Sequence, residues 1–174
     1  MKNKITITIW GCIGVFLIAA LMLVPAAQAG GKTVKYKIAA PITKMEVVPI
    51  PDAQGHVVGV LERRGVAIFE NGETAAYRSM VMFDSFKGQA TWSGYAELSY
   101  ADGSTTVYKA QGTASGSKPR LINGTGEYIK GTGRFEGIQG KVSSNGKVVT
   151  PYTKEATKGD AVFDNTSTYT LPKK

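Results

Sequence analysis

The amino-acid sequence predicts an all-β fold, a single closed barrel of eight antiparallel strands preceded by an N-terminal signal helix. Apolar and polar residues alternate over segments of about ten residues, as in strands with one buried face. Asn-Gly and Asp-Gly pairs separate several of these segments and are typical of two-residue hairpin turns. The chain has 21 glycines among 174 residues, well above the usual share of about 7%. Because strongly bent strands use glycine and closure removes exposed edges, we favour a barrel over the alternative, a two-sheet sandwich.

The first 29 residues have the composition of a secretory signal peptide. Lys2 and Lys4 precede a nearly continuous apolar stretch from Ile5 to Val24. Ala27-Gln28-Ala29 then matches the small-residue pattern of a signal-peptidase site. We expect cleavage after Ala29, a secreted or periplasmic product, and no stable membrane anchor after cleavage. The apolar stretch is also long enough to span a bilayer if it stays uncleaved.

The barrel domain is expected to span residues 30–174 and to begin with a series of strands. Five segments show alternation or apolar runs bounded by turn residues: Thr33–Ala39, His56–Glu70, Thr74–Phe86, Gln89–Tyr100 and Thr105–Ser115. Residues 41–55 contain three prolines and are interpreted as an irregular excursion or edge segment. Within Gln89–Tyr100, period-two alternation puts Trp92 and Tyr100 on the apolar face and Glu97 on the polar face.

A glycine-rich run at residues 124–140 marks the later strands. Six glycines are interleaved there with large apolar side chains such as Tyr128 and Phe135. Each interior glycine would cost a helix about 1 kcal/mol, and flexible linkers lack large side chains, so the run predicts strands with tight bends. Asn145-Gly146 predicts a further hairpin turn. A polar loop at residues 151–159 and a closing strand at Ala161–Leu171 are expected to follow.

Charge and composition exclude several classes of protein. The net charge is +8, of which Lys2 and Lys4 of the leader carry two, and no basic cluster suggests binding to nucleic acid. Cys12 is the only cysteine and lies in the leader, so disulfides and thiolate metal sites are not expected in the mature domain. His56 is the only histidine and is interpreted as a solvated loop residue. We therefore predict no metal site and no cofactor.

The glycine-rich run also carries a family resemblance. Residues 131–142, Gly-Thr-Gly-Arg-Phe-Glu-Gly-Ile-Gln-Gly-Lys-Val, resemble the GTG-x-F-x-G-x-x-G segment of the allene oxide cyclase and dirigent barrel proteins. The closing Tyr169-Thr-Leu171 is similar to the last strand of that family. The resemblance implies an eight-stranded antiparallel barrel in which this segment connects two late strands. It does not imply cyclase activity, because the family's acidic residue and asparagine on the first strand have no counterpart in residues 36–40.

Candidate site residues are those that would face the barrel lumen. Four aromatic residues on apolar strand faces are candidates for a ligand-binding wall: Trp92, Tyr100, Phe163 and Tyr169. Core packing is the alternative interpretation of these side chains. Arg78 and Glu97 lie in strand-like sequence and, if buried in the lumen, would pair as a polar anchor. Met80 and Met82 are adaptable side chains that suit an irregular cavity wall.

Three function classes remain compatible with these observations. We favour an exported barrel that binds a small apolar or amphipathic ligand in its lumen and is not an enzyme. The alternatives are a structural or surface-interaction barrel with a filled core, and an isomerase, cyclase or stereo-directing enzyme that works in the lumen. No catalytic residue is assigned, and association into a homo-oligomer is left open.

Overall fold

The structure, a computed structural model, describes residues 31–116, 118–150 and 159–173. The predicted signal peptide and nearly all of the predicted loop at 151–159 lie outside the described residues. Within these ranges the chain forms nine strands: β1 Lys32–Ala40, β2 Ile42–Pro49, β3 Val57–Phe69, β4 Thr74–Phe86, β5 Gln89–Tyr100, β6 Thr105–Ser115, β7 Leu121–Gly131, β8 Gln139–Val148 and β9 Ala161–Thr170. A 3-10 helix, Gly133–Phe135, separates β7 from β8. None of the described residues forms a helix that is long and apolar enough to cross a membrane.

The sheet closes on itself through antiparallel pairs. From β3 to β9 each strand pairs with the next one along the chain. β1 pairs with β9 on one side and with the last part of β3 on the other. The predicted closed barrel of eight antiparallel strands is therefore confirmed, and its strands are β1 and β3–β9. Among the described elements, the ninth strand β2 pairs only with β3.

β1 and β2 are one stretch of chain divided at Pro41. β1 pairs with the end of β3 and β2 pairs with its beginning. A register shift between Ile42 and Lys44 leaves Thr43 out of the ladder, and its hydroxyl donates to the Glu62 carbonyl at 3.3 Å. The predicted edge segment is thus a regular edge strand. The irregularity that its prolines predicted is confined to Pro41, this bulge and the loop at residues 50–56.

Aromatic side chains fill one end of the barrel, which we call the packed end. The β3–β4, β5–β6 and β7–β8 connections lie at this end. Phe135 and Ile138 of the last connection are buried at its centre. Neighbouring rings follow one another with centroid separations of 4.7 to 6.2 Å: Tyr36–Phe69, Phe69–Tyr100, Tyr100–Phe135, Phe135–Tyr169, Tyr169–Tyr128 and Tyr128–Tyr108.

Two of the three predicted Asx-Gly hairpin turns are confirmed. Gly72 and Gly103 have φ values of 84° and 81°, which suit glycine, and each turn joins two antiparallel strands. The prediction of a turn at Asn145-Gly146 is wrong, because both residues lie inside β8 and pair with β7 and β9. Gly146 is needed there for space: a Cβ on it would lie 2.3 Å from Cδ1 of Phe163.

The glycine-rich run forms the bent strand connection that its composition predicts. β7 ends at Gly131, the 3-10 helix turns the chain, and β8 begins at Gln139. Gly131 permits a close approach, since a Cβ there would lie 2.1 Å from the carbonyl oxygen of Phe135. This turn folds the connection inward, so that Phe135 and Ile138 reach the core.

Candidate functional site

A cavity of about 280 Å³ occupies the half of the barrel away from the packed end. Tyr108 and Val142 lie at its inner limit, and both also belong to the packed core. The cavity reaches the surface beside Val47, which lines it and is 44% exposed. The β2–β3, β4–β5 and β6–β7 connections surround this side, which we call the open end. The lumen is therefore filled at one end and open at the other.

One side of the cavity has mainly large side chains, and the other side has many small residues beside a few large ones such as Trp92 and Tyr108. The large side chains come from β2, β3 and β4: Met45, Val47, Val57, Leu61, Tyr77, Val81 and Phe83. The small residues come from β5, β6 and β7: Ala90, Gly94, Ala96, Ala110, Ala114, Gly124 and Gly126. An eight-stranded barrel is just wide enough to be filled by ordinary side chains. The alanines and glycines of one wall are therefore what keeps this half of the lumen open.

Three aromatic rings of the cavity wall are packed onto glycines of neighbouring strands. The Trp92 indole covers Gly112 and Gly124, where a Cβ would lie 2.7 and 2.4 Å from its Cζ2 atom. In the same way, Phe83 covers Gly59 and Phe163 covers Gly146. The Trp92 Nε1 also donates to the Thr113 carbonyl at 3.2 Å. The glycines thus let these rings lie close to the neighbouring strands.

Arg63 places a buried positive charge at the cavity wall. Its side chain points inward from β3, and the residue is only 4% exposed. Nη1 donates to the carbonyl of Ala40 at 2.8 Å and to that of Gly159 at 2.7 Å. The guanidinium also lies 5.9 Å from the ring centre of Phe163. Arg63 thus joins β3 to the end of β1 and to the segment before β9, at the place where β2 leaves the closed ladder.

One buried polar atom of the cavity wall, Oδ1 of Asn165, has no hydrogen-bond partner among the described residues. An amide oxygen can only accept a hydrogen bond. A buried polar group without a partner costs roughly 1–3 kcal/mol. A molecule that carried a hydrogen-bond donor to this atom would remove that cost. The Ser79 hydroxyl is buried in the same wall and interacts with Tyr77.

Tyr77 and Tyr108 add neutral hydroxyl groups to the lining. Burial raises the pKa of Tyr77, and the Ser79 hydroxyl and the Arg63 charge offset this only in part. Burial and the neighbouring tyrosines raise the pKa of Tyr108 well above its usual range. Both phenols therefore stay protonated near neutral pH. They can orient a bound molecule by hydrogen bonding, but they are poor proton acceptors.

Of the predicted site residues, Trp92 and Phe163 line the cavity. Tyr100 and Tyr169 face the same interior but lie at the packed end, where each contacts Phe135. They line a separate groove of about 650 Å³ beside Lys32, Glu73 and Arg134. The two pairs of aromatic residues are thus at opposite ends of the barrel and do not form one site.

The structure places Arg78 and Glu97 opposite each other on the outer face of β4 and β5. The Arg78 Nε donates to Glu62 Oε1 at 2.8 Å, as does the Nε of Arg64. Glu97 accepts a hydrogen bond from the Ser99 hydroxyl at 3.0 Å. Arg78 and Glu97 are therefore not a polar anchor inside the lumen. Met80 and Met82, considered for a cavity wall, also lie on the outer face and are 57% and 61% exposed.

Glu62 is a buried carboxylate on this outer face. Its side chain lies beneath the two arginines that bond it and is 7% exposed. Burial raises the pKa of Glu62, but the hydrogen bonds and charges of Arg78 and Arg64 outweigh that effect, so its pKa lies below the usual range. The cluster is a structural ion network on the outer face of the sheet, on the opposite side of β3 from the lining residues Leu61 and Arg63.

Sequence reasoning missed Arg63, Ser79 and Asn165 as lining residues. Arg63 is separated from Ala67 and Phe69 by even numbers of positions, so strand alternation puts the three side chains on the same face. This pattern was hidden because Glu62, Arg63 and Arg64 are consecutive charges, only one of which faces inward. Asn165 lay in a polar stretch that offered no apolar pattern from which to assign a face.

Comparison with solved structures finds barrels of similar architecture. The pterocarpan synthase dirigent protein GePTS1 is 15% identical over 80% of this chain and 88% of its own, with a TM-score of 0.45. The pterocarpan synthase dirigent protein PsPTS1 is 13% identical over 83% of this chain and 97% of its own, with a TM-score of 0.47. A DUF3224-family protein of unknown function from Shewanella oneidensis MR-1 is 12% identical over 82% of this chain and 98% of its own, with a TM-score of 0.40.

These likenesses are too distant to carry an argument about activity. No protein-family profile and no curated sequence matches the chain. None of the three solved structures is an allene oxide cyclase, so that part of the predicted resemblance stays a prediction.

Proposed function

We propose that this barrel binds a small, mainly apolar molecule in the cavity at its open end. The observation that carries the proposal is a mainly apolar lumen in which a buried polar atom, Asn165 Oδ1, lacks a partner among the described residues. Ligand sites in proteins combine these two properties, an apolar wall and a few placed polar groups. The proposal also includes export of the barrel, as its leader sequence predicts.

The cavity limits the size and chemistry of the molecule. Its volume of about 280 Å³ lies near the lower end of the range of roughly 300–1,000 Å³ that is usual for ligand pockets. We therefore expect a compact molecule with one polar end rather than a long chain. The polar groups of the lining are hydroxyls, the Asn165 amide and the guanidinium groups of Arg63 and Arg120. None of these is a proton acceptor near neutral pH, which favours binding over acid–base catalysis.

Fluorescence titration with N-phenyl-1-naphthylamine, a neutral apolar dye, tests the proposal. Ala110 lines the cavity on β6, whereas Ala76 is exposed on the outer face of β4. Ala110→Leu should fill the lumen and weaken dye binding by about tenfold or more, because the added methyl groups occupy the site. Ala76→Leu adds the same groups outside and should leave the dissociation constant unchanged.

Denaturant unfolding of both variants separates loss of binding from loss of fold. Equal affinities of the wild-type protein and a folded Ala110→Leu variant would overturn the proposal, as would absence of dye binding to the wild-type protein. Native mass spectrometry of protein purified from its own host then identifies the natural molecule by its mass.

A further inference from the structure

The loop at residues 50–56 is fastened to β4 by a histidine held between two carboxylates. His56 Nδ1 lies 2.7 Å from Oδ1 of Asp52, within the loop. Its Nε2 lies 2.9 Å from Oδ1 of Asp84, on β4. The loop also closes on itself through the hydrogen bond from the Ile50 N–H to the His56 carbonyl at 2.9 Å. The contact with Asp84 is therefore a side-chain tie between a compact loop and the adjacent strand.

This arrangement of the two ring nitrogens requires a protonated imidazole. Each carboxylate oxygen is an acceptor, so both nitrogens must carry a proton for both contacts to be hydrogen bonds. A neutral ring has one N–H and can donate to only one of the carboxylates, while its other nitrogen, an acceptor, faces the other carboxylate. The charged groups that face the ring are Asp52 from the loop and Asp84 from β4. Lys87 lies over the ring of Phe86, which in turn contacts His56 at a centroid separation of 5.5 Å.

The tie lies at the rim of the cavity. Val57, the residue after His56, lines the cavity, and so do the two residues on either side of Asp84, Phe83 and Ser85. Val57 and Ser85 are also register partners in the β3–β4 ladder. A change in the His56–Asp84 contact therefore acts directly next to lining residues at the open end.

We propose that His56 is a pH-sensitive latch, which holds the 50–56 loop against the cavity rim when it is protonated and loosens the rim when it is not. This inference rests on the proposed ligand-binding function, because it concerns access to the same cavity. The hydrogen bonds to Asp52 and Asp84 also raise the pKa of His56 above its usual value, although partial burial opposes them. The stabilisation of the loop by the two hydrogen bonds of His56 is thus complete at mildly acidic pH. It is lost as the pH rises through the raised pKa of His56.

Stopped-flow release of the bound N-phenyl-1-naphthylamine, measured from about pH 5.5 to 8.5, tests the latch. In the wild-type protein, release should become roughly two- to fivefold faster as the pH rises through this range, since exposed ion pairs have small effects. His56→Gln should release the dye at the fast rate at every pH. Hydrogen exchange of the 50–56 amides in the ligand-free protein should show the same pH dependence.

Two carboxylate variants form a matched pair, since each removes one partner of the same ring. Asp84→Ala removes the acceptor on β4 and should give fast release throughout. Asp52→Ala leaves the Asp84 contact in place and should keep the pH dependence, shifted toward lower pH. If the dye binds but its release is independent of pH, the latch is overturned and the binding function stands. If no dye binds, the proposed function fails and the latch fails with it as a gate, whatever the amide exchange shows.

Discussion

Arg63 shows at the scale of one residue how the barrel holds its open half together. β2 pairs only with β3 among the described strands, so the closed ladder ends near the junction of β1 and β2. The guanidinium of Arg63 meets the carbonyls of Ala40 and Gly159 at that place. A buried charge is costly unless it is paired and hydrogen-bonded. Its position is therefore evidence of a structural role in the cavity wall.

Replacing Arg63 by methionine should destabilise the fold. The substitution keeps an apolar stem but leaves two carbonyl oxygens without their donor, which should cost about 1–3 kcal/mol. The midpoint of urea unfolding measures the loss. Lys109→Met, on the exposed face of β6, is the control and should change stability by less than about 0.5 kcal/mol. Equal midpoints for Arg63→Met and the wild type would show that the guanidinium contacts do not stabilise the barrel.

The lowered pKa of Glu62 predicts that the free energy of unfolding depends on pH in the acid range. Because its folded-state pKa is lowered, its contribution is present above the ordinary carboxyl pKa and is lost as the pH falls through the lowered value. Thermal unfolding of Glu62→Gln should therefore lose less stability than the wild type between about pH 5 and pH 3. Glu136→Gln, at an exposed position, should keep the wild-type profile. An unchanged slope in Glu62→Gln would contradict the lowered pKa.

The alternation of apolar and polar residues in β5 already limits which predicted polar site residues can face the lumen. Period-two alternation separates Glu97 from Trp92, so the two could not both face the lumen of a regular strand. The two-residue turn at Lys87-Gly88 then sets Phe83 opposite Trp92 and Arg78 opposite Glu97. Eight residues of strand also separate Trp92 from Tyr100 by about 26 Å on the same face. What the sequence could not show is which end of the barrel is open and which is packed.

At the scale of elements, glycines leave space on the strands, and aromatic rings of neighbouring strands pack against them. Gly112 and Gly124 are register partners on β6 and β7, and the indole from β5 lies across both. A sequence shows that glycines are abundant, but it does not show which ring will cover which glycine, since those contacts join different strands. The same uncertainty explains the error at Asn145-Gly146, where a turn-like pair is part of a continuous strand.

Gly124→Ala tests this role of glycine. Its Cβ would lie 2.4 Å from Cζ2 of Trp92 and 2.9 Å from the Gln111 carbonyl oxygen, so the indole must move, at a cost of about 1–3 kcal/mol. Gly31→Ala is the matched control, because its nearest neighbour would be 3.7 Å away at ordinary contact distance. Urea unfolding and the tryptophan emission spectrum report the two effects. A Gly124→Ala variant with unchanged stability and emission would contradict the packing account.

At the scale of the whole molecule, the lumen is divided into a packed half and an open half. The alternating strands, the turns at Gly72 and Gly103 and the bent glycine-rich connection are all recognisable in the amino-acid sequence, and together they indicate a closed antiparallel barrel. The division of its interior was not predictable in the same way. It depends on Phe135 and Ile138 folding into one end, and on which inward positions are alanine or glycine once all eight strands are in register.

The barrel also exposes an apolar outer surface, which offers a second place where an apolar molecule could associate. Val60, Met80, Met82 and Tyr95 are all exposed on the outer face of β3–β5. Val60 and Met82 also line an outer groove of about 1180 Å³, which shares Phe83 and Trp92 with the cavity. A decisive experiment must therefore distinguish the inner surface of the barrel from the outer one.

Methyl NMR during titration with N-phenyl-1-naphthylamine makes that distinction most directly. The account predicts that resonances of cavity-lining residues shift, those of Leu61, Val81, Ala110 and Ile122 among them. The methyl signals of Val60, Met80 and Met82 on the outer face should stay in place. Shifts confined to the outer methyl groups, or saturation with no shift at the lining residues, would contradict the claim that the open half of this barrel is a binding site.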